Sequence, residues 1–513
     1  MTLPRLRAPV DNGSILAVPP LASVGEAITA NREKLSDLSE RRREAWEDVL
    51  DEAVNYHARW DQFNPTTCPR AIVAGHQPDL FHPGVWLKNY ALAKIACDHH
   101  ALAFNLIADT DTLRSPSIHV PTGVGSDDPA SVRFATIAYD VAGPETPYEE
   151  RCIRDHAMFR SFGERVLNAT KGWGYEPFIT EFWPAVLENA DKSDNIGECF
   201  AAARRTVERK WGVRNYELPT SRIAQTRGFR QYAASVLSDL PRFHATYNTC
   251  LSDYRRKHRI RSRNHPVPDL GQDGDWLETP FWGWRRGSVS RGRLFARRAG
   301  QRIELRASGE VWPDGELEGL EGRGFKLRPR ALSLTMFARL YLADLFVHGI
   351  GGGKYDELTD AIIARHFRVM PPTYLVLTGT LRPPFTGYSS TSADVRQLER
   401  LARDVRWNPQ RHGANGATAA RRRELAEANP TDPAAKLARF RNLRELTDAL
   451  APAVGQQLAD ARKALAGAKS EVAANAILRR RDYSFVLFPE ATLREFLTSS
   501  AAQPASPPRP KPL

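Results

Sequence analysis

The sequence predicts an α/β protein built on a parallel sheet, and three observations predict it. A short apolar run, Ala71-Ile72-Val73-Ala74, stops at Gly75, and a second, Leu102 to Ala108, stops at Asp109-Thr110-Asp111. Between them Leu87, Ala91 and Ile95 recur four apart, with Leu92 and Ala96 beside them, which marks one apolar helix face from about Gly84 to Cys97. Far downstream the texture returns: Leu345-Phe346-Val347 opens onto a glycine cluster, and Tyr374-Leu375-Val376-Leu377 follows. Strand, turn, helix, strand is a βαβ unit, whose strands run parallel. Ligands of open parallel sheets sit outside the carboxyl ends of the strands. Chemistry is therefore to be sought at Gly75-His76, at Asp109 and Asp111, and at the glycine cluster.

The elements follow in order. Residues 1–70 read as a helical lead, with a polar helix from about Val24 to Trp60. Residues 71–250 hold the first part of the core and a helical insertion, with helix-like stretches near 156–168 and 192–211. Residues 251–325 turn to tryptophan, glycine and alternating residues (Trp276, Phe281, Trp282, Trp284, then Leu294-Phe295-Ala296), the pattern of a small basic β insertion with hairpins. Residues 326–390 bring back the core, beginning with Leu327 to Leu332. Residues 391–480 are helix formers, with a near-heptad stripe Leu443, Leu446, Leu450, Val454, Leu458, Ala461, Leu465, Ala468 and Val472. That stripe reads as an antiparallel helical arm or homodimer contact, kinked at Pro452 and Gly455. Residues 481–500 read as a returning strand, Tyr483 to Phe488, and a helix; the proline-rich 501–513 reads as a disordered tail.

Composition limits the function classes. Hydrophobic residues are 42% and charged residues 26%, which excludes a disordered or fibrous chain. No run of 18 uncharged apolar residues exists, so no spanning helix is expected. Five scattered cysteines (Cys68, Cys97, Cys152, Cys199, Cys250) argue for a reducing cytoplasm, no structural zinc, and thiols buried as small hydrophobes. The net charge of +12 is clustered in 254–263 and 285–298. Such segments suit a phosphate backbone, a solvated face or an anionic small substrate.

Three motifs carry the candidate chemistry. The first is Gly75-His76-Gln77-Pro78-Asp79-Leu80-Phe81-His82-Pro83-Gly84, with Lys88 on the first helical turn. A glycine turn into a helix N-terminus receives phosphate; His76 and His82 would donate to it or shuttle protons, and Lys88 would neutralise developing charge. The second is Asp109-Thr110-Asp111. Unless the chain turns there, one of these acids is expected to face the cleft, where it would orient an amine, hold a metal or act as a base. The third is Gly349-Ile350-Gly351-Gly352-Gly353-Lys354-Tyr355, whose glycines imply close approach or positive φ. It matches neither a Walker A loop nor the dinucleotide fingerprint.

Taken together these motifs resemble the cysteine ligases of bacillithiol biosynthesis. Their pattern is a strand, Gly-Gln-Gln-Ala-Gly-Leu-Phe-x-Gly-Pro, a helix with lysine, and a strand ending in Ser-Glu-Asp-His-Asp. Gly75, Gln77, Leu80, Phe81 and Gly84 stand in comparable places. Leu327-Arg328-Pro329-Arg330-Ala331-Leu332 and Gly349 to Tyr355 are similar to the family's Leu-Ser-Pro-Asn-Val-Leu and Gly-Pro-Gly-Glu-x-Ala-Tyr. The resemblance implies a Rossmann-like core akin to class I aminoacyl-tRNA synthetases and nucleotidylyltransferases, with insertions and a coiled-coil dimerisation arm. The family's reaction condenses cysteine with a malate-linked glucosamine. Here His76 replaces a glutamine, Pro78-Asp79 replaces Ala-Gly, Asp111 is the one acid kept, and Gly352 replaces the glutamate. These departures leave the substrate open. His-Gln-Pro before a helix also resembles, over a shorter stretch, the WbqC-like family of surface-polysaccharide loci.

The reading that follows is a cytoplasmic ligase or group-transfer enzyme joining an amine or thiol to a small acid- or sugar-containing substrate. ATP or ADP is the candidate cofactor, and no metal is assigned. His76, His82, Lys88 and Asp111 are the candidate catalytic residues. Gly75, Gln77, Gly84, Asp109, Gly349, Gly351, Gly352, Gly353, Lys354 and Tyr355 are the candidate substrate or nucleotide contacts. The alternative is a non-catalytic protein that uses the basic segments on nucleic acid or other anions.

Overall fold

The computed structural model describes residues 6–58, 70–313 and 315–500. Trp60, Cys68 and the proline-rich tail lie outside the described residues. The chain is a mixed α/β protein with a largely parallel sheet. Its six strands are β1 (Ile15–Val18), β2 (Ala71–His76), β3 (Leu102–Ile107), β4 (Tyr216–Pro219), β5 (Leu345–His348) and β6 (Tyr374–Gly379). The order across the sheet is β1-β6-β5-β2-β3-β4, parallel except for β1, which runs antiparallel to β6.

This order explains why two motifs far apart in sequence meet. From β2 the chain moves outward on one side through β3 to β4, then returns to lay β5 and β6 on the other side. The direction reverses between β2 and β5, paired through Leu345↔Ile72 and Val347↔Ala74. At such a reversal the connections leave a crevice beyond the carboxyl ends. The first motif leaves β2 there, and the glycine motif leaves β5.

Both faces of the sheet are covered, as near-continuous apolar strands require. The helix Pro83–Asp98 buries Trp86, Leu87 and Leu92 on one side. The helix Ser39–His57 buries Val49 and Ala53 on the other. The single lead helix expected over 24–60 is two, Val24–Lys34 and Ser39–His57, split by a 3-10 turn at Ser36–Leu38. The lead is also not wholly helical, because β1 belongs to the main sheet.

The basic insertion is the antiparallel sheet its alternation implies: Trp276–Arg285, Gly292–Ala299, Arg302–Ala307 and Glu310–Trp312 in hairpin order, closed by Phe325–Pro329. That last strand pairs Phe325↔Arg285 and Pro329↔Phe281, so the insertion runs to Pro329 and takes residues assigned above to the returning core. A hairpin, Ser117–Thr122 with Arg133–Ala138, and β4 itself lie in the stretch whose pattern gave no strand.

The helical arm pairs Ser392–Trp407 with Gly455–Leu478, and Ala417–Glu427 with Pro433–Leu450. The heptad stripe faces the chain's own helices, with Leu450, Val454, Ala461 and Ala468 buried. A 3-10 turn at Ala451–Val454, beginning beside Pro452, divides it. Tyr483 to Phe488 is not a strand. It is a buried turn, Phe485–Leu487, whose Phe485 amide donates to the Phe81 carbonyl at 2.8 Å. A run that is apolar at every position suits a core-filling turn as well as a strand. Cys199 and Cys250 are buried, whereas Cys97 and Cys152 are exposed, against the expectation for all the thiols.

Candidate active site

The crevice is divided in two by the start of the helix Ile350–Ile362. On one side lies a cavity of about 440 Å³ lined by His82, Gly84, Lys88, Gly349, Gly351 and Lys354, with Arg7, Thr378 and Arg481 closing it. On the other lies a cleft of about 400 Å³ lined by Gly75, His76, Gln77, Asp111, Gly352 and Tyr355, among others. The two motifs thus meet around two spaces.

The first cavity is cationic. Its lining holds Arg7, Lys88, Lys354 and Arg481 and, among the described residues, no carboxylate. Two helices begin at it. His82 is the N-cap of Pro83–Asp98, its Nδ1 accepting from the Gly84 amide at 3.1 Å. Gly349 is the N-cap of Ile350–Ile362 and offers no side chain, so that helix opens with its amides uncapped by a side chain. Because Nδ1 of His82 accepts, its proton is on Nε2, a donor to a ligand. Burial, then Arg481, pushes the His82 pKa down to about 4, so the ring is neutral.

Lys88 is the centre of this cavity. It is buried, on the second rather than the first helical turn, and its Nζ donates to the Gly75 carbonyl at 2.9 Å. No carboxylate pairs with it among the described residues. Burial pushes its pKa down to about 8. An ammonium kept from water without a counter-ion is costly unless an anion joins it.

Gly75 lies within β2, not in a phosphate-receiving turn. A Cβ there would stand 3.1 Å from the Leu106 Cβ, so the residue serves strand packing and its carbonyl anchors Lys88. Gly351, Gly352 and Gly353 are helical, Gly349 is the extended N-cap, and none of the four has positive φ. Close approach explains two of them: a Cβ on Gly353 would lie 2.5 Å from Val376 Cγ2, and on Gly352 2.6 Å from His348 Nδ1. At Gly84 it would lie 2.4 Å from the Gly379 carbonyl oxygen.

His76 is pinned at both ring nitrogens: Nδ1 is 2.9 Å from the Gln77 carbonyl and Nε2 is 3.1 Å from Asn89 Oδ1. Burial, then Lys88 and Arg204, pushes its pKa down to about 3. The Asn89 amide donates to Glu208, so its oxygen is an acceptor like the Gln77 carbonyl, and the single proton of the neutral ring faces two acceptors. His76 positions the end of β2; it is not placed to shuttle protons.

Asp109 and Asp111 lie in a turn beyond β3 rather than in extended chain, and they line different spaces. Asp111 lines the cleft and accepts from Gln77 Nε2 at 2.8 Å and Arg291 Nη2 at 3.1 Å. Asp109 lines a separate cavity of about 580 Å³ beside β4, bonded to Thr220 and Ser221. Burial, then Glu149, raises its pKa to about 6. It is not part of the crevice.

One residue escaped the sequence reading. His348, the last of β5, lines the cleft and directs Nε2 to Asp356 Oδ2 at 2.6 Å. The signal was a histidine directly before the glycine cluster with an aspartate eight residues on, hidden because the apolar strand was taken to end at Val347.

The basic segments are paired internally in part, while Arg259, Arg261 and Arg263 are exposed. Arg255 pairs with Asp269, Arg256 with Asp253, and Lys257 and His258 with Glu357. Arg285, Arg293 and Arg297 meet Glu310, Glu278 and Glu304. Trp282 lies between the guanidiniums of Arg291 and Arg330, each 4.3 Å from its ring centre, so its faces are covered rather than open to stack a base. Among the described residues no group of His, Cys, Asp or Glu side chains is arranged to hold a metal, and no helix is long and apolar enough to cross a membrane. No protein-family model matches the chain, and no characterised protein is significantly similar to it.

Proposed function

We propose that the chain is a group-transfer enzyme of ligase type, on a Rossmann-like core similar to that of the cysteine ligases of bacillithiol biosynthesis. In this reading the cationic cavity holds the phosphate of a nucleotide (ATP or ADP) or of a phosphorylated donor, and the adjoining cleft holds the acceptor. The observation that carries it is Lys88, a buried ammonium without a carboxylate in a cavity whose lining contains no acid. The uncapped amides at Gly349 and the His82 Nε2–H supply directed donors beside it. Lys354 and Arg481 add charge at the rim.

The chemistry follows from these positions. Lys88 and the helix N-terminus stabilise negative charge on a departing phosphate or nucleotide. Asp111, held by Gln77 and Arg291, offers the cleft a fixed carboxylate that would orient an amine. The partial internal pairing of the basic segments and the two guanidiniums against Trp282 favour this reading over a nucleic-acid surface.

Titration calorimetry of the full chain with pyrophosphate, ADP and ATP tests it. Binding of at least one of them is expected, weakened roughly tenfold or more in Lys88→Met, as loss of a charge-assisted bond implies. Absence of heat with all three discards the reading.

A further inference from the structure

The cleft contains a second, independent piece of machinery. His348 is buried, and its Nε2 lies 2.6 Å from Asp356 Oδ2. Asp356 is itself fixed, accepting from Arg339 Nη1 at 2.9 Å. Arg339 also holds Asp360 at 2.6 Å and the Pro372 carbonyl, so the guanidinium is locked in place. Burial alone would raise the Asp356 pKa; His348 and Arg339 outweigh it and keep the carboxyl below its ordinary value. An ionised carboxylate at Nε2 requires the proton there, which leaves the lone pair on Nδ1.

The ring is held on both sides, its centre 4.4 Å from that of Phe346 and 5.3 Å, nearly perpendicular, from that of Tyr374. Nδ1 makes no hydrogen bond among the described residues. Glycine at 352 keeps the space against it open, since a Cβ would fall 2.6 Å from that nitrogen. Both residues line the cleft. His76 in the same cleft has both nitrogens directed at protein oxygens, so neither is open to a ligand. The remaining walls are mostly apolar, among them Leu106, Val267, Pro268, Pro280, Leu334 and Phe346. A sugar rich in hydroxyls would leave its groups unpaired against such walls.

We propose that His348, oriented by Asp356, is the base that deprotonates the acceptor, and that the acceptor is a largely apolar molecule bearing one amine, thiol or hydroxyl. The proposal rests on the group-transfer reading for its donor. As the acceptor's nitrogen, sulfur or oxygen forms a bond to the electrophilic carbon or phosphorus of the phosphate-bearing donor, its proton passes to Nδ1. The donor's bond to its phosphate or nucleotide leaving group breaks, and that group departs with the electron pair toward Lys88. Asp356 is a positioning residue that stabilises the imidazolium so formed.

Carbethoxylation of the full chain with diethyl pyrocarbonate, mapped by peptide mass spectrometry, tests the base without any donor. His348 is expected to react ahead of His76. Asp356→Asn and Gly352→Ala should each slow it by roughly tenfold, the first by weakening the base and the second by covering Nδ1. Benzyl alcohol should protect His348, and glucose should not. An unreactive His348 beside reactive exposed His156 overturns the base; protection by glucose alone overturns the acceptor class. Loss of phosphate binding at Lys88 would leave this readout untouched, so the two readings fail separately. With a donor and acceptor turning over, His348→Gln should lower kcat about 100-fold or more while pyrophosphate binding stays unchanged. An unchanged kcat removes the assignment.

Discussion

The Lys88 ammonium donates to the carbonyl of Gly75 at 2.9 Å, and this bond ties the helix of the first motif to the strand before it. It also fixes a positive charge at the point where the sheet reverses direction. A charge held there without an acid costs stability in the empty protein and is recovered when an anion binds.

Lys88→Met is therefore expected to stabilise the anion-free chain, on the order of 2 kcal/mol, while weakening pyrophosphate binding roughly tenfold or more. The lysine is depressed to about 8 from 10.5. The unfolded chain thus binds more protons between those values, and stability rises with pH across that window. Urea denaturation at pH 7 and pH 9.5 should show the rise in the wild type and not in the variant. Pyrophosphate affinity should fall as pH passes about 8, because the ammonium is lost.

The glycine motif divides into sites that need glycine and sites that do not. No atom lies within 4 Å of a Cβ at Gly349 or Gly351. Gly351→Ala, inside the helix, should gain about 0.5–1 kcal/mol from helix propensity. Gly353→Ala drives a methyl into Val376 in the sheet core and should lose about 1–3 kcal/mol. Gly84→Ala meets a backbone oxygen that cannot swing aside and should lose at least as much. Thermal denaturation of the three variants distinguishes this order from one in which all the glycines serve a flexible loop.

The core strands were legible because their burial on both faces writes near-continuous apolar runs, and β2, β3, β5 and β6 are such runs. β4 was not, because it is Tyr-Glu-Leu-Pro with a buried glutamate. Glu217 sits there only because Arg204 and Arg205 reach it from the helix Ile196–Lys210, a tertiary pairing no local pattern records. β1 is four residues long and takes its place through β6 alone. At the site, Gly75 and His76 fitted a phosphate turn by composition, yet strand register places them in β2. Histidine before glycine looked like the edge of a turn, so His348 was overlooked. Only the reversal between β2 and β5 brings it beside the first motif.

Asp109 tests the difference between a ligand contact and a buried structural acid. Its carboxyl is raised to about 6, chiefly by burial, and accepts from Thr220 Oγ1 at 2.8 Å and the Ser221 amide at 2.9 Å. A raised carboxyl contributes stability below its unfolded value near 3.8 that is lost as pH rises through about 6. Asp109→Asn keeps the acceptor and removes the charge, so it should be neutral or stabilising at pH 7.5. Asp109→Ala leaves the donors unpaired and should cost about 1–3 kcal/mol. Pyrophosphate binding should be unchanged in both, because Asp109 does not line the Lys88 cavity. A large loss of binding in Asp109→Asn would contradict that separation.

Arg291 joins the β insertion to the end of β3. Its Nη1 donates to the Thr110 carbonyl at 2.6 Å, its Nη2 meets Asp111 at 3.1 Å, and its plane covers Trp282. Asp111 is 44% exposed, so the ion pair itself is screened and contributes no more than about 1 kcal/mol. Global stability should therefore change little in Arg291→Ala. The local consequence is larger, because the same guanidinium bonds the strand end, holds the carboxylate of the cleft and packs the tryptophan wall. Hydrogen exchange at Thr110–Thr112 and along Gly292–Ala299 should accelerate while the core strands stay protected. Arg291→Lys should not restore protection, since one ammonium cannot reach a carbonyl and a carboxylate in the fork geometry while lying flat on the indole. Exchange unchanged in both variants would mean that the insertion is held by its sheet alone, and that the cleft wall does not depend on this contact.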